Sequence, residues 1–412
     1  MLLMELFVHK LIDKFSHQQR MLIKGKNMNN KKKIKKGYLG WGTRRDFLKG
    51  MGALSTSLFA GQTFSRAKQV FAENIPKQIN IGTFGPSHCS VPFVYAKLKG
   101  FFKQDNLNIN LINYPNMPLI AQNLISGKID FGQLIVPLAF AMHSGAKPFS
   151  EATPIVIPQI TGNDGAVLMV RKDTGIHSPL DFKKKTLANH SKLSVHFLIN
   201  MMFLEKHGLN YQKDLNVKIV ELGNIINATK DGQVDAFVMP EPKNAIAEKM
   251  GIANVFMLSR YLWQDHPCCC LVTKRETFEK NTEMVTAVTR TITKAGLLAN
   301  DADTREETID LIRSSDEYNF EKISKDVLMR AFIPGRADFY PFPYLSSAML
   351  IIQEMKKYDL LDTTVNGKKM AEDVFLSDLS RSVIKDLGAA PPSSNYRTEK
   401  ILGEFKNYSL SS

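Results

Sequence analysis

The apolar residues in the middle of the chain fall into two alternating kinds of run. Short runs typical of buried strands occupy 78–85, 107–114, 129–135 and 154–160. Between them, 91–102 and 117–127 carry apolar residues at helical spacing, with Asn116 as a helix start and Gly127 as a helix end. Strands alternating with helices predict βαβ units and a parallel sheet covered on both faces, so the expected fold class is α/β.

A short motif occurs twice along the chain. Ser-Gly-Lys-Ile-Asp-Phe at 126–131 is echoed by Asp-Gly-Gln-Val-Asp-Ala at 231–236. Each copy follows a predicted helix and leads into an apolar run that ends near a proline, Pro137 or Pro240. The strand and helix pattern around the second copy repeats as well. The sequence therefore predicts two similar α/β lobes with a cleft between them, and such clefts hold small ligands.

The last third of the chain has a mainly helical pattern. Residues 282–301, 304–315 and 346–361 carry apolar residues at three- and four-residue steps. We expect these helices to pack on the first lobe, beside a wall of aromatic residues and prolines at 338–347. From 388 to 412 proline and serine interrupt the helical spacing of apolar residues, which predicts a loose tail.

The positive charge is concentrated at the N-terminus. The chain of 412 residues has a formal net charge of +14, and residues 1–72 hold 15 of its 54 basic and 3 of its 40 acidic residues. The remainder is nearly neutral, so it has no surplus of cations to release counterions from a phosphate backbone. Nucleic acid is therefore not an expected partner.

The basic N-terminal region has the order of an export signal. Thr-Arg-Arg-Asp-Phe-Leu-Lys at 43–49 matches the twin-arginine signal, with Arg44 and Arg45 as its paired arginines. The apolar run that follows ends at Phe64, and its roughly 17 residues are short for the alternative of a membrane-spanning helix. We expect residues 1–72 to be the signal region, cleaved near Ala72 after passage through the twin-arginine export machinery. The product is expected to be a soluble periplasmic protein.

Several further motifs are shared with one family. They are the strand-turn-helix stretch 79–112, Ser-Val-His at 194–196, the stretch 231–242, and Asp-Phe-Tyr-Pro-Phe-Pro-Tyr at 338–344. Together they resemble the periplasmic solute-binding proteins of nitrate, bicarbonate, sulfonate and taurine ABC importers, and the nitrate and bicarbonate branch most. The resemblance spans 77–362.

The resemblance implies a fold and a set of partners. The fold is the two-lobed periplasmic-binding-protein type II architecture, with mixed sheets flanked by helices and two crossovers, near 161–171 and 264–273, that act as hinges. Lobe 1 would comprise 73–165 and the helical return 266–387, lobe 2 would comprise 166–265, and 388–412 would be the loose tail. The implied partners are a small solute and the permease and ATPase subunits at the inner membrane. We expect a monomer without a cofactor.

The predicted ligand-binding residues combine helix starts with residues that match the family. Backbone N–H groups at the loop-to-helix junctions of Ser87, Asn116, Ser194 and Asn224 would face the cleft and suit an oxyanion or other small polar ligand. The full predicted set is Ser87, Tyr114, Asn116, Gln159, Ser194, His196 and Glu241.

Four of these residues also have purely structural interpretations. Gln159 matches a glutamine that the nitrate-type proteins place on their ligand, but it also fits a hydrogen-bonded amide at a hinge. His196 matches the histidine of the Ser-x-His motif, whereas a lone helical histidine is often structural. Tyr114 matches a pocket aromatic or closes the end of a strand. Glu241 matches an acidic residue before a proline, and helix capping is the favoured interpretation there.

One position departs from the nitrate-type pattern. Gln264 stands where those proteins have a lysine, so the point charge that would hold an anion is missing. This difference favours a neutral or zwitterionic ligand over tightly bound nitrate.

The cysteines suggest an alternative function. Cys268, Cys269 and Cys270 are consecutive and follow His266, and Cys89 is the only other cysteine. A similar run occurs in the related fungal enzymes that make the thiamine pyrimidine from their own histidine with iron. The alternative is therefore an exported metal- or thiol-dependent protein, with a vicinal disulfide as a further option.

Two observations weigh against that alternative. In a regular strand Cys268 and Cys270 face one side and Cys269 the other, which makes a poor metal cage. The sequence also has no Walker loop and no His-Glu-x-x-His, Gly-x-Ser-x-Gly or Gly-x-Gly-x-x-Gly motif. Binding without catalysis is the expected function.

Overall fold

The computed structural model describes residues 78–403. The predicted signal region at 1–72 and the last residues, 404–412, lie outside the described residues. Within the described residues, no helix is both long enough and apolar enough to cross a lipid bilayer.

Eleven strands of the described residues form two sheets. They are β1 Ile79–Thr83, β2 Ile109–Asn113, β3 Phe131–Ile135, β4 Ile155–Asp164, β5 Ala166–Arg171, β6 Thr186–Asn189, β7 Asn216–Ile219, β8 Ala236–Pro240, β9 Ala253–Leu258, β10 Pro267–Lys274 and β11 Ala337–Asp338. The six-stranded sheet of lobe 1 has the order β11-β4-β10-β3-β1-β2, and the five-stranded sheet of lobe 2 has the order β7-β6-β8-β5-β9.

Both sheets are mixed, and their strands share one arrangement of directions. Three neighbouring strands run parallel in each sheet, β2-β1-β3 in lobe 1 and β7-β6-β8 in lobe 2. The next strand, β10 or β5, enters from the other lobe and runs antiparallel to both of its neighbours. The two-lobed α/β architecture with mixed sheets is thus confirmed. The all-parallel sheet expected from strand and helix alternation is wrong, because a strand returning from the other lobe is not joined by a βαβ crossover.

The repeated motif has one structural role in both lobes. Asp130 precedes β3, and its carboxylate accepts the backbone N–H of Asn80 in β1 at 2.8 Å. Asp235 precedes β8, and its carboxylate accepts the N–H of Thr186 in β6 at 2.9 Å. Each aspartate therefore joins the starts of two parallel strands, which confirms that the two sequence copies mark equivalent places in the two lobes.

Fourteen α-helices of the described residues cover the sheets. They are α1 Val91–Leu98, α2 Phe101–Gln104, α3 Met117–Ile125, α4 Val136–Ser144, α5 Val195–Lys206, α6 Ile225–Lys230, α7 Lys243–Lys249, α8 Arg275–Lys280, α9 Thr282–Asn300, α10 Arg305–Arg313, α11 Lys325–Ala331, α12 Leu345–Lys357, α13 Gly367–Val374 and α14 Ser377–Asp386. Val285 and Ile292 of α9 share a buried cluster with Val91 and Phe93 of α1. Helix α9 therefore packs on lobe 1, whereas α11 and α12 also reach lobe 2, through the ion pairs of Asp326 with Lys249 and of Lys357 with Glu205.

The chain passes between the two sheets twice. Gly165 separates β4 from β5, and its φ of +71° lies in the left-handed region. The second passage lies between the end of β9 at Leu258 and the start of β10 at Pro267. The two passages lie side by side, since the N–H of Asp164 donates to the carbonyl of His266 at 2.9 Å.

The segment after α14 is hydrogen-bonded to the second passage between the lobes. The indole Nε1 of Trp263 donates to Glu399 at 2.8 Å, the N–H of Gln264 donates to the carbonyl of Lys400 at 3.1 Å, and the N–H of Leu402 donates to Leu262 at 2.8 Å. Residues 399–402 of the predicted loose tail are therefore hydrogen-bonded to the second passage, because residues without an apolar period still supply hydrogen bonds.

Candidate functional site

A cavity of about 530 Å³ lies between the two lobes. Lobe 1 contributes Phe84, Gly85, Pro86, Ser87, Cys89, Pro115, Asn116, Met117, Pro118, Ile135, Leu138, Cys268 and Cys269, and lobe 2 contributes His190, Ser191, Leu193, His196, Glu221, Leu222, Gly223, Pro240 and Lys243. The wall is mainly apolar, with a few polar groups at defined places, as is usual for small-molecule sites.

The starts of two long helices lie at this wall. Asn116 caps α3, and its Oδ1 accepts the N–H of Leu119 at 2.9 Å. The side-chain NH₂ of Asn116 is left to donate to other partners. Ser194 caps α5 by accepting the N–H of Phe197 at 3.1 Å. The side chain of Ser194 is engaged in the cap, whereas its neighbours Leu193 and His196 line the cavity. The two positive helix ends favour negative charge in the cavity.

At the junction of Ser87, the side chain already takes part in a local hydrogen bond. Ser87 lines the cavity, and its Oγ donates to the carbonyl of Phe84 at 2.8 Å. The fourth predicted junction, before α6, reaches the cavity through Gly223 and not through Asn224 itself. All four predicted helix starts thus have at least one neighbouring residue at the wall, and Asn116 and Ser87 lie there themselves.

Two histidines of lobe 2 face the cavity with unused nitrogens. The rings of His190 and His196 are 4.9 Å apart, and within the described residues the buried Nδ1 of each has no hydrogen-bond partner. Burial lowers the pKa of His190 to about 4 and lowers that of His196 well below its ordinary value. Both imidazoles are therefore neutral near pH 7 and can each donate one hydrogen bond to a ligand.

The charged residues at the wall are Lys243 and Glu221. Lys243 is half-buried at the start of α7 and makes no salt bridge with any described residue, and burial lowers its pKa. Glu221 is exposed at the rim. Lys243 was not among the residues predicted from the sequence, although its position directly after Pro-Glu-Pro at 240–242, at the end of β8, was a usable signal.

The cation at the wall changes the expectation drawn from Gln264. Gln264 does not line the cavity and instead donates its N–H to Lys400. Because Lys243 supplies a positive charge from another element, the missing lysine at Gln264 does not leave the cavity without a cation. The missing lysine at Gln264 is therefore no longer a reason to expect a neutral or zwitterionic ligand.

Besides Ser194, three predicted site residues lie away from the cavity wall. Gln159 is buried in β4, where its Oε1 accepts the hydroxyl of Thr293. Tyr114 packs over Gly82, whose missing side chain leaves room for its ring. Glu241 is buried beside the first passage, and its Oε2 accepts the N–H of Ala245 in α7 at 3.1 Å. Tyr114 thus follows the end of β2 and Glu241 accepts a hydrogen bond in the first turn of α7, whereas the partner of Gln159 lies on α9 and not at a hinge.

The cysteine run does not alternate as a regular strand would. The register between β10 and β4 shifts between Pro267 and Cys269 and again between Cys269 and Cys270. This irregularity turns Cys268 and Cys269 to the same side, where both line the cavity with their Sγ atoms 4.0 Å apart. The expectation that these two thiols face opposite sides is wrong.

The other members of the predicted cysteine and histidine set are engaged elsewhere. The thiol of Cys270 donates to the carbonyl of Leu134 at 3.3 Å. The Nε2 of His266 lies 2.8 Å from the hydroxyl of Ser259, beside the second passage. The described structure therefore separates His266 and Cys270 from Cys268 and Cys269.

A family model for the NMT1-like family matches residues 72–313, which is more than half of the chain. The chain belongs to the NMT1-like family. The match covers β1 to β10, and so it includes every residue that lines the cavity.

Curated relatives of this NMT1-like chain include transport proteins of cyanobacteria. It is 24% identical over 385 residues to a nitrate/nitrite binding protein NrtA of Nostoc sp., covering 82% of this chain and 86% of that protein. It is 23% identical over 341 residues to a nitrate import ATP-binding protein NrtC of Synechococcus elongatus, covering 76% of this chain. The chain spans only 50% and 54% of the two NrtC proteins that it matches.

Solved structures share the fold. The periplasmic nitrate-binding protein NrtA from Synechocystis PCC 6803 aligns with a TM-score of 0.72 and 18% identity, over 80% of this chain and 95% of that chain. The aliphatic sulphonate binding protein SsuA from Escherichia coli aligns with a TM-score of 0.59 and 19% identity, over 72% and 92%. The NMT1-like chain therefore has the fold of periplasmic binding proteins.

Proposed function

We propose that the chain is the solute-binding subunit of an ABC importer and captures a small anion in the cavity between its lobes. The observation that carries this proposal is Lys243, a half-buried cation without a salt bridge among the described residues, at the wall of a cavity of about 530 Å³. A partly desolvated ammonium gains most from an anionic partner, because the low local dielectric strengthens the attraction.

The rest of the wall narrows the class of solute. Neutral His190 and His196 offer N–H donors, and the amide of Asn116 adds another. The apolar residues Phe84, Met117, Ile135, Leu138, Leu193 and Leu222 line the remainder. Among the nitrate, bicarbonate and sulfonate class, an anion with an apolar body, such as an alkanesulfonate, matches both kinds of surface better than a bare oxyanion.

Binding of this kind requires the lobes to open and close. The two passages between the lobes lie side by side, so a rotation about them would open the cavity. Solute release would then follow from opening at the membrane, where permease and ATPase subunits are the proposed partners. The relatives named as nitrate import and bicarbonate transport ATP-binding proteins support an importer of this type.

The route to the membrane is a further part of the proposal. The sequence 43–49 supports export by the twin-arginine machinery, followed by cleavage near Ala72 and a soluble periplasmic product. Replacing Arg44 and Arg45 with lysines is expected to leave the protein in the cytoplasm when cell fractions are blotted. Periplasmic recovery of that variant would contradict this route.

A calorimetric solute panel tests the binding function. Nitrate, bicarbonate, taurine and a series of alkanesulfonates are titrated into the purified chain lacking residues 1–72, and small-angle scattering is recorded with and without each solute. At least one anion is expected to bind with 1:1 stoichiometry and to reduce the radius of gyration. If no anion binds and the scattering is the same throughout, the proposed function is wrong.

A further inference from the structure

Three metal-binding side chains meet at the lobe 1 side of the cavity. The Nε2 of His88 lies 3.1 Å from Sγ of Cys89, and one ligand atom each of His88, Cys89 and Cys268 lies within 4.8 Å of the others. All three residues are buried. Residues that are far apart in sequence, on the turn before α1 and on β10, are thus brought together.

A fourth donor is adjacent. The register shifts in β10 place Sγ of Cys269 4.0 Å from Sγ of Cys268, on the same side of the strand. The Nε2 of His196, in lobe 2, is 3.9 Å from Sγ of Cys268. The cluster therefore offers up to three sulfur and two nitrogen donors within a small volume.

The ring of His88 keeps one nitrogen without a partner. Its buried Nδ1 has no hydrogen-bond partner among the described residues, while its Nε2 lies 3.1 Å from Sγ of Cys89.

The first passage between the lobes leaves room for the cluster. A Cβ at Gly162 would lie 2.6 Å from Sγ of Cys89, and a Cβ at Gly165 would lie 2.1 Å from Nε2 of His88. Two positions without side chains therefore allow the imidazole and the thiol to lie directly against the backbone. The backbone at these two glycines thus packs directly against the donor groups and restricts their movement, which favours a defined coordination geometry.

An ion can reach the cluster from the cavity. Cys89, Cys268, Cys269 and His196 all line the cavity wall, whereas His88 lies behind them. Thiolate and imidazole donors select soft or borderline ions such as Cu⁺ and Zn²⁺ over Mg²⁺ or Ca²⁺. Three protein ligands also leave one coordination position open toward the cavity, as in zinc sites that bind a further ligand.

We propose that His88, Cys89 and Cys268, with Cys269 as the next donor, form a binding site for one thiophilic metal ion, Zn²⁺ or Cu⁺. Binding forms metal–sulfur and metal–nitrogen bonds and releases the protons of the coordinating thiols to solvent, without any change of oxidation state. The metal site shares the cavity with the proposed solute but does not use Lys243, so the two proposals can be tested separately.

Metal titration of the reduced chain lacking residues 1–72 tests the site. Co²⁺ is added as a spectroscopic substitute for Zn²⁺, and a sulfur-to-cobalt charge-transfer band that saturates at one equivalent is expected, followed by its loss when Zn²⁺ is added. In a second arm, Cu⁺ is transferred from a chromophoric chelator. If neither ion binds to the fully reduced chain at one equivalent, the proposal is wrong.

Matched cysteine variants locate the ion. Cys89→Ser and Cys268→Ser are expected to weaken binding by about 100-fold or more, since loss of even an outer-shell partner costs about 10- to 100-fold. Cys270→Ser is the control, because that thiol donates to Leu134 and lies outside the cluster. Equal losses in all three variants, each with unchanged circular dichroism, would contradict the assignment.

A further variant separates this inference from the proposed function. Lys243→Gln is expected to keep the cobalt band and to lose anion binding. Failure of the solute panel with an intact cobalt band would overturn the importer proposal alone, and the reverse result would overturn the metal site alone.

Discussion

The Nε of Arg336 donates to Oε1 of Glu241 at 2.6 Å, and this ion pair joins lobe 1 to lobe 2. Arg336 directly precedes β11 of the first sheet, and Glu241 directly follows β8 of the second. Both side chains are almost completely buried, with 1% and 0% exposure. Removal of Arg336 would leave the buried carboxylate of Glu241 without its cation, whereas removal of Glu241 would leave Arg336 paired with Glu248 at 2.9 Å.

The variant Arg336→Ala is therefore expected to lower the free energy of unfolding by about 3–5 kcal/mol. Urea denaturation followed by circular dichroism measures this change. The control is Lys249→Ala, which breaks an exposed ion pair with Asp326 and is expected to have a much smaller effect. Equal losses of unfolding free energy in the two variants would show that the buried ion pair contributes no more to stability than the exposed one.

The variant Lys243→Gln is expected to weaken anion binding by about 10- to 150-fold, which corresponds to the roughly 1.5–3 kcal/mol of a hydrogen bond to a charged group. Calorimetry with the best anion of the panel measures the loss. Lys230→Gln, an exposed lysine of the same lobe, is the control and is expected to bind as the parent does. Unchanged affinity in Lys243→Gln would remove the main support of the proposed function.

Buried histidines are expected to make the fold sensitive to mild acid. Burial lowers the pKa of His190 to about 4 and that of His266 to about 3, from an ordinary value of 6.5. Below pH 6.5 the unfolded chain binds protons that the folded chain does not, so stability is full above pH 6.5 and falls as the pH decreases toward 4 and 3. Each such histidine contributes about 1.4 kcal/mol per pH unit.

Urea unfolding between pH 7 and pH 5 measures this slope. His190→Gln is expected to reduce it by about 1.4 kcal/mol per pH unit, because one of the titrating groups is removed. His177→Gln changes an exposed histidine and is expected to leave the slope as it was. A slope that is the same in all three proteins would contradict the assignment to His190.

The equivalent aspartates of the two lobes are expected to contribute to stability in the same way. Asp130→Ala and Asp235→Ala each remove an acceptor for a backbone N–H, and each is expected to lower the free energy of unfolding by about 1.5–3 kcal/mol. Asp235 also pairs with Arg171 at 3.0 Å, so its loss should be the larger. Denaturation of the double variant is expected to show additive losses, because the sites lie in different sheets.

Gly165→Ala is expected to destabilise the fold more than Gly232→Ala does. Both glycines have a positive φ, +71° and +76°, so the backbone strain of an alanine is similar at the two positions. A Cβ at Gly165 meets the ring of His88, whereas a Cβ at Gly232 has nothing within 4 Å. Melting temperatures of the two variants measure the difference, and equal values would show that the ring moves aside without cost.

The sequence by itself determined the fold class, the lobe repeat and part of the site. Strand and helix periods follow directly from which residues must be buried, so the helices of both lobes were predictable. The shared Gly-x-x-Asp turn identified the equivalent places now occupied by Asp130 and Asp235. Asn116, Ser87 and His196 were named because helix starts and a family motif are local signals, and all three lie at the cavity wall.

Only the tertiary structure decided which of the candidate groups meet. Lys243 looks like an ordinary exposed lysine at a helix start until the lobes enclose it. Cys268 and Cys269 share a side because of a strand irregularity that depends on the pairing with β4, and Cys89 joins them from a distant turn. The periods along a chain report local burial, whereas the distance between groups on different elements is set by packing between those elements, which no local pattern encodes.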